Sequence, residues 1–133
     1  MQYRAILVDD EHWLLEGLLR TFPWESYGFT VVGKFSDAED ALRFMESNAV
    51  DLVLTDIRMP EFSGLDFLEA SRQRGDTAEF VMISGYSDFE YARQALRSNA
   101  FEYCLKPVKR GDAEELLARL RIKLDAKNAD QHR

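Results

Sequence analysis

The chain has 133 residues, of which 46% are hydrophobic and 12% aromatic, which is enough for one folded domain with a filled core. Its 17 basic and 24 acidic residues give a formal net charge of −7, which disfavours direct binding of a nucleic-acid backbone. No apolar run approaches the roughly 20 residues that cross a bilayer, so we expect no membrane partner.

Cysteine and histidine usage narrows the class of metal site. Cys104 is the single cysteine, so no disulfide can form within the chain and a reducing, cytoplasmic location is expected. Residues 1–4 lead directly into a strand-like segment, which predicts no secretion signal. His12 and His132 lie far apart in sequence, which disfavours a zinc site. Any metal should be a hard cation with oxygen ligands.

Hydrophobic spacing alternates between strand-like and helix-like patterns along the chain. Short apolar runs predict five strands, at residues 4–8, 30–35, 52–55, 80–84 and 101–105. Apolar residues spaced three and four apart predict five helices, at 14–22, 38–45, 65–68, 89–96 and 113–124. Two helix starts have the spacing of capping boxes, Ser36 with Glu39 and Ser87 with Glu90.

This alternation indicates an α/β fold, a five-stranded parallel sheet doubly wound with five helices. The first, third and fourth strands are apolar on both faces, as expected between two helix layers. Lys34 and Glu102 in the second and fifth strands suit sheet edges, so the predicted order is 2-1-3-4-5. We expect one domain over residues 1–124, and residues 125–133 as a frayed helix end or the start of a linker to an absent output domain.

Polar side chains stand at the carboxyl ends of four predicted strands. Asp9 and Asp10 follow the first strand and Asp56 follows the third, while Ser84 ends the fourth and Lys106 follows the fifth. In an open parallel sheet of this order, ligands bind beyond these ends, beside the first strand. We therefore expect three carboxylates, a hydroxyl and an ammonium to meet in one crevice.

The chemistry of that crevice suits phosphoryl transfer. Three clustered carboxylates repel one another unless a cation lies among them, and oxygen ligands favour Mg²⁺ or Mn²⁺. Lys106 supplies a positive charge for phosphoryl oxygens. Asp56 stands singly on the central third strand, facing Asp9 and Asp10, and is the best candidate for a nucleophile that forms an acyl phosphate.

Four segments at characteristic spacing carry a family resemblance. They are Val8-Asp9-Asp10-Glu11, the stretch 54–60 followed by Gly64-Leu65, then 83–86 and 103–107. Together they resemble the receiver domain of two-component response regulators over about residues 3–124. The resemblance implies the flavodoxin-like receiver fold, and a histidine kinase as the partner that phosphorylates the domain.

The same resemblance implies a role for each site residue. Asp56 would be the phosphorylated residue, and the metal would be bound by Asp9, Asp10, Asp56 and the backbone carbonyl of Arg58. Ser84 and Lys106 would contact the phosphoryl group, with Tyr103 as the aromatic residue of the switch and a cis peptide before Pro107.

A narrower resemblance concerns the output. Residues 84–92 and 100–108, with Trp24 before Gly28 and Phe29, resemble receivers fused to AraC-type helix-turn-helix domains. That subgroup implies regulation of transcription, with DNA bound only through the output domain. It also implies a weak, phosphorylation-enhanced dimer through the fourth helix, fifth strand and fifth helix.

Two other functions are weighed against this one. A phosphatase with an aspartate nucleophile needs a second acid two residues later, and Arg58 at that position disfavours an enzyme. We expect only self-phosphorylation and self-dephosphorylation. A docking module that works without phosphorylation would lack an acid or the lysine, whereas Asp9, Asp10, Asp56 and Lys106 are all present.

Overall fold

The computed structural model describes residues 2–85 and 89–131 and has a parallel sheet of five strands in the order β2-β1-β3-β4-β5, as predicted. The strands are β1 (Tyr3–Val8), β2 (Phe29–Phe35), β3 (Leu52–Asp56), β4 (Glu79–Ser84) and β5 (Glu102–Leu105). The helices are α1 (His12–Thr21), α2 (Ala38–Ser47), α3 (Gly64–Gln73), α4 (Phe89–Arg97) and α5 (Arg110–Gln131). A short 3₁₀ helix at Glu25–Tyr27 was not predicted.

Two hydrophobic cores cover the two faces of the sheet. On one face, Leu7 and Leu54 pack with residues of α1 and α5, such as Leu15 and Leu117. On the other face, Ile6 and Val53 pack with residues of α2 and α3, such as Ala41 and Leu68. Each fully buried Leu or Ile contributes about 1.5–3 kcal/mol. Burial on both faces confirms that β1, β3 and β4 are central strands.

The start of α2 differs from the prediction. Asp37, rather than Ser36, is the N-cap, and its carboxylate accepts a 2.8 Å hydrogen bond from the Asp40 backbone N–H. The predicted Ser36 and Glu39 capping box is therefore wrong, because the helix begins one residue later. The other predicted box includes Ser87, which lies outside the described residues.

A reciprocal capping box instead starts α3. The Ser63 hydroxyl accepts from the Asp66 N–H at 3.1 Å, and the Asp66 carboxylate accepts from the Ser63 N–H at 3.0 Å. This box has Asp where the predicted pattern required Glu or Gln. It fixes the beginning of α3 just after the loop that follows β3.

Helix α5 continues to Gln131, beyond Leu124, where the apolar pattern ends. Past that point the helix is held by polar contacts, since the Tyr3 hydroxyl donates to Asp125 and Lys127 Nζ lies 2.8 Å from Glu79 Oε2. Residues 125–131 are thus helical and contact the domain. Within the described ranges, no helix is long and apolar enough to cross a membrane.

Candidate functional site

Backbone hydrogen bonds bring the carboxyl ends of the strands together. The Asp9 N–H donates to the Phe35 carbonyl of β2 at 3.1 Å, and the Ile57 N–H donates to the Ile83 carbonyl of β4 at 3.0 Å. The Lys106 N–H donates to the Ser84 carbonyl at 2.8 Å. Parallel pairing therefore continues to the last residue of each strand and places the side chains that follow at one edge of the sheet.

The predicted charged residues meet at this edge. Asp9, Asp10 and Asp56 each offer a carboxylate oxygen within 4.8 Å of the others. Asp9 and Asp56 are buried, whereas Asp10 is exposed. Lys106 Nζ lies 3.1 Å from Asp56 Oδ1 and 3.5 Å from Asp9 Oδ2, so its contact with Asp56 is the closer one.

Burial and mutual repulsion perturb the acids of this cluster. Burial, reinforced by the negative charge of Asp9, raises the pKa of Asp56 from 3.8 to about 6, although Lys106 opposes the shift. Burial also raises the pKa of Asp9, against the N–H of Glu11, which donates to its carboxylate at 3.0 Å. For Lys106, burial lowers the pKa, but the carboxylates of Asp56 and Asp9 outweigh burial and raise it.

The three carboxylates fit a hard divalent cation. Mg²⁺ binds oxygen at about 2.1 Å, so two of its ligands lie at most about 4.2 Å apart, and carboxylate oxygens within 4.8 Å of one another can reach one ion with a small adjustment. Asp9 Oδ2 is buried and has no hydrogen-bond partner among the described residues. Its distance of 3.5 Å from Lys106 exceeds the 2.7–2.9 Å typical of a charge-assisted hydrogen bond. A cation would supply the missing interaction.

Ser84 and Tyr103 lie on the same face of adjacent strands. Tyr103 pairs in register with Met82, which is two residues before Ser84 on β4, so all three side chains share one face. Ser84 is 1% exposed and its Oγ has no hydrogen-bond partner among the described residues. Tyr103 is half-buried against the core on that face. The hydroxyl thus lies at the carboxyl end of β4 and neither accepts a hydrogen bond from nor donates one to the residues that the structure describes.

The loop after β3 folds tightly against Asp56. The Gly64 N–H donates to the Ile57 carbonyl at 2.9 Å, and a Cβ at Gly64 would collide with the backbone carbonyl of Asp56. Glycine is therefore required where α3 begins. Arg58 lies in this loop, exposed, two residues after Asp56. On the other side of the crevice, the peptide bond between Lys106 and Pro107 is cis.

A groove beside the crevice was not predicted from the sequence. It has a volume of about 460 Å³, and it is lined by Asp9 and Lys106 together with apolar residues that include Trp13, Leu14 and Val108. Trp13 is 67% exposed. The signal in the sequence is a tryptophan two residues after the acidic run that ends at Glu11, next to the leucines that form the buried face of α1.

Comparison with known proteins identifies relatives of the whole domain. The family of response regulator receiver domains matches residues 5–121. An uncharacterized response regulatory protein of Staphylococcus epidermidis is 36% identical over 115 residues, which cover 86% of this chain and 45% of that protein. The chain therefore spans less than half the length of this curated relative.

Solved structures agree with the sequence comparison. The receiver domain of AraT, a response regulator from Geobacillus stearothermophilus, has a TM-score of 0.89 and 29% identity, over 96% of this chain and 99% of that one. A two-component transcriptional regulator AraC from Clostridium phytofermentans has a TM-score of 0.79 and 27% identity, over 90% of this chain and 92% of that one. The similarity includes AraC-type regulators.

Proposed function

The chain belongs to the family of response regulator receiver domains, and on that premise we propose that it accepts a phosphoryl group from a histidine kinase onto Asp56. The observation that carries the proposal is the contact of Lys106 with Asp56 inside a cluster of three carboxylates. The chemistry of the domain is limited to its own phosphorylation and dephosphorylation. We place this reaction in the cytoplasm, consistent with its single, unpaired Cys104.

Asp56 is suited to the nucleophilic role by position and charge. With a pKa of about 6, it is mostly ionised at neutral pH and can form a bond to phosphorus as the donor's bond to phosphorus breaks. Asp9, Asp10, Asp56 and the Arg58 carbonyl would hold Mg²⁺, or Mn²⁺ in its place. Bound there, the cation would supply positive charge that neutralises the transferred group. Lys106 would contact the phosphoryl oxygens.

The switch would start at Ser84. Its buried, unpartnered hydroxyl can donate to a phosphoryl oxygen on Asp56, and moving toward that oxygen would leave space on the face that it shares with Tyr103. Tyr103 would enter that space, so the charge at Asp56 would change the position of β5. The switch is thus a pair of side chains with two arrangements, biased by the phosphoryl group.

The groove next to the crevice would contact the kinase. A donor histidine on another protein must reach Asp56, and the exposed ring of Trp13 lies on the groove that also contains Asp9 and Lys106. An apolar groove of this kind provides contact area for a partner helix. Small donors such as acetyl phosphate would not need it.

The output would be regulation of transcription through a fused DNA-binding domain, as in the AraC-type regulators that this chain resembles.

A weak dimer through α4, β5 and α5 would pair such domains on DNA. Charges on this face are already engaged within the chain, since Glu102 pairs with Arg119 at 2.7 Å and Glu90 with Arg93 at 3.5 Å. If these ion pairs within one chain are replaced by ion pairs between two copies, each new pair contributes about 1 kcal/mol or less. The dimer should therefore be weak.

The decisive experiment is intact mass measurement after incubation with acetyl phosphate and Mg²⁺. We expect one added phosphoryl group on the wild type and none on Asp56→Asn, with an unchanged circular dichroism spectrum. Phosphate recovered on Ser84 or His12 would overturn the assignment.

Sedimentation with and without beryllofluoride tests the dimer, and a monomer at high concentration in both conditions would refute it.

A further inference from the structure

The end of α5 is held to the sheet by charge. Glu79, the first residue of β4, is only 4% exposed, and its carboxylate pairs with Lys123 at 3.1 Å and with Lys127 at 2.8 Å. Lys127 also donates to the Thr77 carbonyl at 2.5 Å. Leu124 is the last buried residue of the helix among those described, so the contacts beyond it are polar.

A second set of contacts holds the same part of the helix against β1 and the 3₁₀ helix. Arg121 donates to the Tyr27 carbonyl at 3.1 Å, and its guanidinium lies 4.9 Å from the centre of the Tyr3 ring. The Tyr3 hydroxyl donates to Asp125. These contacts are part-buried, as is the contact of Lys127 with Glu79, but Glu79 is the residue that pairs with two cations of the helix end, and its side chain is only 6% exposed.

Lys123 connects this region to β5. Its Nζ lies 5.4 Å from the centre of the Phe101 ring, and Arg119 lies over the same ring at 5.4 Å. Arg119 in turn pairs with Glu102, the first residue of β5, at 2.7 Å. The Phe101 ring therefore contacts two cations of α5, and one of them, Lys123, is also a partner of the buried Glu79.

We propose that Glu79 with Lys123 and Lys127 forms an electrostatic latch, the Glu79 latch, that docks the last turns of α5 and couples their docking to β5. Both charge partners of the Glu79 carboxylate come from the end of α5, so undocking of this end breaks the two ion pairs together. When it leaves, Lys123 also withdraws from Phe101. The latch lies at the amino ends of the strands, opposite the Asp56 crevice, and takes no part in the phosphoryl chemistry.

Amide hydrogen exchange of the whole chain, measured by mass spectrometry, tests the latch. In Glu79→Gln we expect residues 121–131 to exchange about tenfold faster, the order of one lost charge-assisted interaction, and residues 101–105 to accelerate as well. Glu114→Gln is the matched control, because Glu114 pairs with Arg110 in the first turn of the same helix. It should leave both segments unchanged.

Two further variants separate the parts of the proposal. Phe101→Leu keeps the latch but removes the ring, and because coupling is reciprocal it should accelerate exchange at 121–131. Lys127→Gln retains the Lys123 pair, so it should accelerate exchange at 121–131 less than Glu79→Gln does, with a correspondingly smaller effect on 101–105, and it remains informative if Glu79→Gln unfolds. Exchange at 121–131 equal to the control in Glu79→Gln or in Lys127→Gln refutes the latch. Faster exchange there with 101–105 unchanged in Glu79→Gln refutes the coupling.

Discussion

Replacing Asp56 with asparagine should stabilise the metal-free protein at neutral pH. The carboxylate of Asp56 is buried and faces Asp9, so its pKa is about 6 in the folded protein, against 3.8 for the ordinary side chain. Between these two values the folded protein binds the proton more tightly than the unfolded chain does. The free energy of unfolding therefore falls as pH rises through this range, and the loss is complete above the folded-state pKa.

The size of the effect follows from the shift. About two pKa units at about 1.4 kcal/mol each correspond to about 3 kcal/mol at pH 7 and above. Asparagine resembles the protonated acid because it carries no charge, so Asp56→Asn should recover most of this energy. Its amide must still find hydrogen bonds in the crevice, which reduces the expected gain to about 1–3 kcal/mol.

Urea unfolding in EDTA between pH 4.5 and 8, followed by tryptophan fluorescence, measures this difference. The gap between Asp56→Asn and the wild type should be largest above pH 7 and should shrink toward pH 4.5. Asp112→Asn makes the same change of charge at an exposed position in the first turn of α5, where the lost interaction with the helix dipole should lower stability by about 0.3–1 kcal/mol and not raise it. The reasoning is refuted if Asp56→Asn is no more stable than the wild type at pH 7.5, or if the gap does not depend on pH.

Three further predictions follow from the site and the helix that supports it. Mg²⁺ should raise the Tm of the wild type, and Asp10→Asn should reduce that rise, because it removes one candidate ligand; equal shifts would exclude Asp10 as a ligand. Trp13→Ala should slow transfer from the kinase much more than labelling by acetyl phosphate; equal slowing would remove the groove from kinase binding. Ser63→Ala should lower the free energy of unfolding by about 1 kcal/mol in urea, because it breaks the α3 capping box; unchanged stability would contradict this.

The crevice could be predicted from the sequence because the geometry of a parallel sheet determines it. Once the strand order was fixed by which strands are apolar on both faces, Asp9, Asp56 and Lys106 had to share one edge. The structure places them there, with Lys106 3.1 Å from Asp56. Asp56 is the last residue of β3, so its position depends on strand pairing and not on the loop that follows.

Other features could not be predicted because they depend on contacts distant in sequence. In the sequence, Glu79 is an acidic residue just before a predicted strand, with no sign that it is buried. Only the packing of α5 shows that it is buried and paired with two lysines. The continuation of α5 past Leu124 has the same cause, since polar contacts replace the apolar pattern. The predicted N-cap of α2 is wrong by one residue because Ser36 and Asp37 are both good N-caps, and local sequence does not decide between them.

Buried polar atoms without partners explain why this crevice should respond to ligands. Among the described side chains these atoms are Asp9 Oδ2, Ser84 Oγ and Trp24 Nε1. Trp24 packs with Phe22 and Phe29, away from the crevice, so an unpartnered atom alone does not mark a site. The other two stand at the carboxyl edge of the sheet. Ser84 Oγ costs about 1–3 kcal/mol while it has no hydrogen-bond partner, whereas the Lys106 ammonium, 3.5 Å from Asp9 Oδ2, compensates that atom in part. A cation would satisfy Asp9, and a phosphoryl oxygen on Asp56 would satisfy Ser84. A phosphoryl oxygen would gain the Ser84 hydrogen bond only in the arrangement in which the hydroxyl reaches it, and this difference in interaction between two arrangements is what lets a ligand shift a conformational equilibrium.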